Sequence, residues 1–136
     1  MIVYVLDSSA VLRFVDKEVG AERVRAIFRS CAQGQTDACS SALQWGEIAG
    51  TLRKRSGAKE QERILAKLMG LQLRIVPATG ERAVRAAEIK MDRKLPYADA
   101  FALELAMDTA DHVLVTADYD FKAVADLARI EFLPAK

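Results

Sequence analysis

Cysteine and histidine are scarce in this sequence, and it has neither a strong net charge nor a long apolar run. Two cysteines, one histidine and no Cys-x-x-Cys pair argue against a disulfide framework and against a zinc site. No apolar run approaches the roughly 20 residues of a membrane span, and no basic region precedes the first apolar run. We therefore expect no membrane segment, no signal peptide and a cytoplasmic location. A net charge of +1 is uninformative about a nucleic-acid partner, which would need a local basic patch.

The order of the predicted elements indicates a single α/β domain over residues 1–136. The chain is long enough for one good core, and 51% of its residues are apolar. Short apolar or β-branched runs predict strands at 2–6, 38–41, 73–76, 112–116 and 130–132. Helical spacing predicts helices at 9–15, after Gly20, and at 42–55, 59–69, 79–94, 97–107 and 121–128. Strands separated by helices predict a mostly parallel sheet covered on both faces.

Four acidic residues lie at or near the boundaries of these predicted elements. Asp7 follows the first strand, and Asp118 follows the strand 112–116. Acids just past the carboxyl ends of parallel strands point into the crevice where α/β sheets bind ligands. Glu47 and Asp99 lie in nearly uncharged helix starts, where a lone acid is costly unless it is paired or metal-bound. Any one of the four could be an ordinary turn or surface acid, but together they predict an acidic pocket.

The chemistry of this predicted pocket favours a hard cation. Carboxylates that converge repel one another unless a cation joins them or protons neutralise some of them. Because no histidine or cysteine cluster is available, Mg²⁺ or Mn²⁺ fits an oxygen-only set best. Such sites carry out phosphoryl-transfer chemistry.

Four segments, in order along the chain, resemble the PIN-domain family, and within it the VapC-type toxin ribonucleases of toxin–antitoxin pairs. They are Asp-Ser-Ser at 7–9, Ser-Ala-Leu-Gln-Trp-Gly-Glu at 41–47, Leu-Pro-Tyr-Ala-Asp-Ala at 95–100 and Val-Thr-Ala-Asp-Tyr-Asp-Phe at 115–121. The first and last segments are the more specific, and the resemblance covers essentially the whole chain. It implies a three-layer α/β/α sandwich with a mostly parallel central sheet.

The resemblance also implies a Mg²⁺-dependent endoribonuclease that cuts RNA with a metal-activated water. The catalytic and metal-binding acids would be Asp7, Glu47, Asp99 and Asp118, with Glu47 binding the metal through water or accepting a proton. Asp120 could share or exchange the role of Asp118.

Two hydroxyl residues accompany these acids. The resemblance implies that Ser9 lines the site and that Thr116 orients Asp118 through a hydrogen bond. No acid of the motif is missing, so nothing in the sequence suggests an inactive enzyme.

Contacts with RNA and with protein partners are predicted on the helical surfaces. Arg53, Lys54 and Arg55 end the Glu47 helix and could bind RNA, as could Arg13, Arg93 and Lys94, although a solvated helix face is the more common explanation for each. The resemblance implies a cognate antitoxin and a homodimer. We expect the antitoxin to occupy an apolar groove between the early helices and the Glu47 helix, with an exposed lining of Phe14, Phe28 and Trp45.

Other classes of protein fit less well. A phosphorylated receiver domain needs an acidic pair after its first strand and a lysine after a later one, and neither is present. A haloacid-dehalogenase-like phosphatase needs Asp-x-Asp after the first strand, where Ser9 stands instead. The serious alternative is a non-catalytic module that binds RNA or protein on the same fold.

Overall fold

Five short strands form the centre of the molecule, and the computed structural model describes all of residues 1–136. The strands are β1 (Val3–Leu6), β2 (Asp37–Ser41), β3 (Leu73–Val76), β4 (His112–Thr116) and β5 (Arg129–Phe132). Their order across the sheet is β3-β2-β1-β4-β5, and every neighbouring pair is parallel. The predicted sheet is therefore confirmed.

Five α-helices and one 3₁₀ helix connect the strands. They are α1 (Ser8–Val15), α2 (Ala21–Ala32), α3 (Ala42–Gly70), α4 (Gly80–Arg93), α5 (Tyr97–Ala106) and the 3₁₀ helix Tyr119–Val124. None of them combines the length and apolar character that a membrane span requires.

One predicted helix differs in type and extent, and the predicted break between two others is present. The α-helix predicted at 121–128 is wrong: a 3₁₀ helix begins earlier, at Tyr119, because the Asp118 side chain caps it by accepting from the Asp120 N–H. The two helices predicted at 42–55 and 59–69 are both present as the two parts of α3, which are separated by one non-helical residue, Gly57, at φ 82° and ψ 176°. Glycine adopts that conformation without the steric cost of a side chain, so the chain can change direction there and resume a helix.

Two apolar cores, one on each face of the sheet, give the fold its three layers. Successive strand residues point to opposite faces. Val5 accordingly packs with Phe101 and Leu114 beneath α4 and α5, whereas Leu6 packs with Ile27 and Ile48 beneath α1, α2 and α3. The predicted α/β/α sandwich is confirmed.

The strand order reverses between β1 and β4. From β1 the chain proceeds to β2 and β3 on one side, and then crosses to β4 and β5 on the other. Helices leave the sheet in opposite directions at such a switch point, and a crevice opens at the carboxyl ends of the two strands. Asp7 and Asp118 follow those two strand ends.

Candidate active site

Asp7 is the buried centre of this crevice. It is the N-cap of α1, and its side chain is only 2% exposed. Its Oδ1 accepts hydrogen bonds from Ser9 Oγ at 2.6 Å and from the Ala10 N–H at 3.0 Å, while Oδ2 accepts from Thr116 Oγ1 at 2.7 Å. Burial raises the pKa of Asp7, and these three donors partly offset that effect. The carboxylate is thus held in one orientation without any positive charge.

Ser9 and Thr116 connect Asp7 to the segment that carries Asp118. Ser9 Oγ accepts from the Ala117 N–H at 2.9 Å, and Thr116 Oγ1 accepts from the Asp118 N–H at 2.9 Å. Thr116 therefore contacts the backbone of Asp118 and the carboxylate of Asp7, whereas the sequence suggested only a contact with Asp118. The ends of β1 and β4 are fixed to each other through these two hydroxyl groups.

Asp99 lies half-buried in the first turn of α5, and its pKa is also raised. Burial and then the negative charges of Asp118, Asp7, Glu47 and Asp120, in that order, raise the pKa of Asp99 to about 7. The other four predicted acids therefore all lie within electrostatic reach of Asp99. None of the five forms an ion pair with a lysine or an arginine.

Glu47 and Asp120 form the exposed edge of the acid group. Glu47 extends from the second turn of α3, and its Oε1 accepts from Ser8 Oγ at 3.1 Å. The Asp120 N–H donates to Asp118 Oδ1 at 2.9 Å, so the Asp118 carboxylate is oriented by its own turn. The Asp120 carboxylate is left exposed to solvent.

The donor set fits a hard divalent cation, although the acids are not arranged as a closed cage. No three acidic, histidine or cysteine side chains lie close enough together to hold one ion as they stand. Mg²⁺ keeps several waters and takes only one or two protein carboxylates, so it does not require such a cage. The donors are all oxygen atoms. The pKa of Asp99 is raised by burial and then by the negative charge of the other acids, and a cation would relieve that charge.

The basic residues predicted to bind RNA fall into two groups: those whose side chains are held by other residues, and those that are exposed and form no ion pair. Arg55 makes a bidentate ion pair with Asp16 at 3.0 Å, and Arg93 pairs with Asp126 at 2.6 Å. Arg13 is occupied by the carbonyl oxygens of Val19 and Pro134. Arg53, Lys54 and Lys94 are exposed and form no ion pair.

A groove that could take a protein partner lies beside a different helix from the predicted Glu47 helix, and its lining differs from the expected one. It is a cavity of about 230 Å³ between α1, α2 and the second half of α3. Phe14, Val15, Ile64 and Leu68 line it together with four basic residues, Lys17, Arg25, Arg63 and Lys67.

Two of the aromatic residues predicted for that lining lie elsewhere. The prediction for Phe28 is wrong: it is 3% exposed and packs in the core against Phe14, with ring centroids 5.1 Å apart. Its position at helical spacing with Val24 and Ile27 is a core position of α2. Trp45 is half-buried at the edge of the same core and does not line the groove.

Sequence reasoning missed one polar residue beside the site, Gln44. It is fully buried in the first turn of α3 and bonds to the backbone of both Ser8 and Ala98. The available signal was its spacing, because Gln44 shares a helical face with the buried Ile48 and Leu52. A polar side chain on a core face needs partners, and here they lie next to Asp7 and Asp99.

The fold and the crevice define an α/β protein with an acidic site at the switch point of a parallel sheet. The PIN-domain family model matches residues 4–127. The chain belongs to the PIN-domain family, as the sequence motifs indicated. No curated protein sequence matches it.

Several solved structures share the fold at low sequence identity. VapBC2 from Rickettsia felis, bound to a DNA fragment from its promoter, has a TM-score of 0.77 and 11% identity, covering 98% of this chain and 100% of the other. VapC20 from Mycobacterium tuberculosis, a sarcin–ricin-loop-cleaving toxin, has a TM-score of 0.71 and 17% identity, covering 96% and 99%. A toxin–antitoxin complex from Klebsiella pneumoniae has a TM-score of 0.69 and 16% identity, covering 98% and 99%. At these identities the likeness establishes the fold.

Proposed function

We propose that this protein is a Mg²⁺-dependent endoribonuclease and the toxin of a toxin–antitoxin pair. The observation that carries the proposal is the concentration of five acids in one crevice without a lysine or arginine to neutralise them. A fold that leaves so much like charge together is suited to a cation from solution. Membership of the PIN-domain family and the similarity to toxin structures support the same conclusion.

The roles of the side chains follow from their surroundings. Asp7, Asp99 and Asp118 would hold the cation, with Asp120 able to share the role of Asp118. When bound, Mg²⁺ or Mn²⁺ supplies positive charge to phosphate oxygens and lowers the pKa of a water molecule. Ser9 and Thr116 hold Asp7 in place, so it does not have to reorient during the reaction.

Glu47 is suited to moving a proton. Glu47 is exposed, and its Oε1 is engaged by Ser8 Oγ, which leaves Oε2 without a hydrogen-bond partner in the protein. We propose that Oε2 accepts the proton of the attacking water, because a general base must be positioned and within reach of that proton.

The proposed substrate is a folded RNA. The structurally similar VapC20 is a sarcin–ricin-loop-cleaving toxin. In this chain Arg53 and Lys54 lie six and seven residues beyond Glu47 on α3, exposed and without ion pairs. They are the best placed cations for phosphate contacts, and Arg55 is a weaker candidate because Asp16 already holds it.

The proposed antitoxin segment would occupy the groove between α1, α2 and α3. The groove has an apolar floor, and of its four basic residues Arg25 and Arg63 face Glu22 and Glu60, while Lys17 and Lys67 have no ion pair. An amphipathic segment carrying acidic residues fits this surface, since opposite charges steer and orient such a contact. A homodimer is part of the same proposal, and sedimentation of the purified protein would test it.

Cleavage of RNA by the purified protein tests the proposed activity. We expect cleavage of a structured RNA with Mg²⁺, its loss on chelation with EDTA, and its recovery when Mg²⁺ or Mn²⁺ is restored. Asp99→Asn, purified in parallel, controls for contaminating ribonuclease and should be inactive. RNA binding without cleavage under all these conditions would favour the alternative, a non-catalytic RNA-binding module.

A further inference from the structure

Gln44 uses both ends of its side-chain amide to join two other helices to α3. Its side chain is 0% exposed. Oε1 accepts from the Ser8 N–H at 2.6 Å, and Nε2 donates to the Ala98 carbonyl at 2.7 Å. Because one partner is a donor and the other an acceptor, only one orientation of the amide satisfies both. Gln44 thus connects the first residue of α1 to the first turn of α5.

Each of the three hydrogen-bonded residues lies close in sequence to one of the acids. Ser8 follows Asp7, and Ala98 precedes Asp99. Gln44 itself lies three residues before Glu47, on the same side of α3. Ser8 completes the arrangement, because its hydroxyl donates to Glu47 Oε1 at 3.1 Å. One amide therefore sets the relative placement of the three helix starts that carry Asp7, Glu47 and Asp99.

The contribution of Gln44 is one of placement more than of stability. A buried amide with both partners satisfied has a small net effect on folding, since water would have satisfied it in the unfolded chain. Hydrogen bonds are, however, directional and confined to a narrow range of lengths. Apolar contacts between α1, α3 and α5 allow sliding that these two bonds do not.

We propose that Gln44 is a positioning residue whose amide sets the relative placement of Asp7, Glu47 and Asp99, and with it the affinity of the crevice for a divalent cation. This inference rests on the proposed function, because it assumes that the acids bind metal. Residues that orient metal ligands without touching the metal commonly change its affinity about 10- to 100-fold when they are replaced.

The test is a Mn²⁺ titration of the metal-free protein followed by calorimetry, without RNA. Gln44→Met keeps the length of the side chain and removes both hydrogen bonds. We expect it to weaken Mn²⁺ binding about 10- to 100-fold. Gln61→Met is the matched control: Gln61 Nε2 donates to the Ala49 carbonyl at 2.9 Å, also on α3, and contacts none of the acids. We expect it to lower the melting temperature somewhat and to leave Mn²⁺ affinity unchanged.

The outcomes separate this inference from the proposed function. If wild-type protein binds Mn²⁺, Asp99→Asn does not, and Gln44→Met binds as tightly as wild type, the role of Gln44 is overturned and the metal site stands. If wild type binds no Mn²⁺, both proposals fall. If Gln44→Met does not fold, Gln44→Asn is titrated with Mn²⁺ in its place. The asparagine side chain is one methylene shorter, so its amide reaches only one of the two partners. Equal Mn²⁺ affinity in Gln44→Asn and wild type would overturn the inference.

Discussion

Asp7 and Glu104 are the two acids that this fold buries, at 2% and 4% exposure, and their surroundings are opposite. Glu104, on α5, accepts from Arg82 Nη1 at 3.0 Å and from Arg85 Nε at 2.9 Å. Arg82 also reaches Asp108, so two arginines and two acids form one network between α4 and α5. Asp7 has only two hydroxyl groups and one backbone N–H as partners.

The difference indicates what each region is built to do. At Glu104 the chain provides its own counter-charge, and the result is a structural link between two helices. Around Asp7 the chain gathers four more acids and provides no counter-charge. Burying uncompensated charge costs stability, so a site of this kind is maintained at the expense of the metal-free fold.

The largest expected effect is on activity, and only the removal of charge on the Asp7 side of this comparison should produce it. We expect Asp7→Asn to lower the rate of RNA cleavage at least about 10²-fold, the loss typical when a group that stabilises transition-state charge is removed. Glu104→Gln should cleave at nearly the wild-type rate once folded. Single-turnover cleavage with excess protein measures both. Near wild-type cleavage by Asp7→Asn would show that Asp7 is not part of the active site.

Folding stability should show the opposite pattern: changing Glu104 should lower the free energy of unfolding, whereas changing an acid of the crevice should not. Glu104→Gln leaves Arg82, which is 18% exposed, with a weaker partner, so we expect a loss of about 1–3 kcal/mol in the free energy of unfolding. Arg82 keeps Asp108 and Arg85 is half exposed, which limits the loss. In metal-free protein Asp99→Asn should be no less stable than wild type. Urea denaturation of the two variants compares them directly, and an unchanged Glu104→Gln would contradict a stabilising network.

The pH dependence of stability should report on Asp99 in the acidic crevice. The pKa of Asp99 rises from its ordinary 3.8 to about 7 in the folded protein, so the folded state holds a proton that the unfolded state has lost. Stability of the metal-free protein should then be highest at low pH on this account, and should fall as pH rises from about 4 through about 7. Asp99→Asn should flatten this fall. A profile identical to that of wild type would mean that Asp99 is not perturbed.

The smallest expected effect concerns the cations that have no acid partner. Neutralising Arg53 and Lys54 should weaken RNA binding and reduce the slope of log affinity against log salt by up to about 1.4, or 0.7 for each phosphate contact. Arg55→Gln, which removes a residue held by Asp16, is the control and should change the slope less. Fluorescence anisotropy over a salt series measures the slope. An unchanged slope in the double variant would place the RNA surface elsewhere, with Lys94 the next candidate.

The architecture was predictable because its signals are local. Apolar runs and helical spacing identified the strands and most helices, and the ends of β1 and β4 identified Asp7 and Asp118. What was not predictable depends on contacts between distant residues. The Arg55–Asp16 ion pair joins residues 39 apart, and the bond from Gln44 to Ala98 joins residues 54 apart. No local pattern reveals such partners, so Arg55 looked like a free cation and Gln44 looked unremarkable.

A short capped turn and a packed aromatic ring caused the remaining errors. The segment after β4 has the apolar spacing of an α-helix, but the Asp118 cap closes a tighter turn and produces a 3₁₀ helix. Phe28 was expected at the surface because aromatic anchors are common in interfaces. Its helical spacing alone already placed it with the core residues of α2.

The central claim is that the acids around Asp7 bind a divalent cation because the chain supplies no counter-charge there. Stabilisation of the folded protein by such a cation tests this claim most directly. At Mn²⁺ concentrations 100 times the dissociation constant, a bound ion adds about 2.7 kcal/mol to the free energy of unfolding. We predict that gain for wild type and for Glu104→Gln, and its absence in Asp99→Asn, measured by urea denaturation with and without Mn²⁺. The same gain in Asp99→Asn as in wild type would contradict the account.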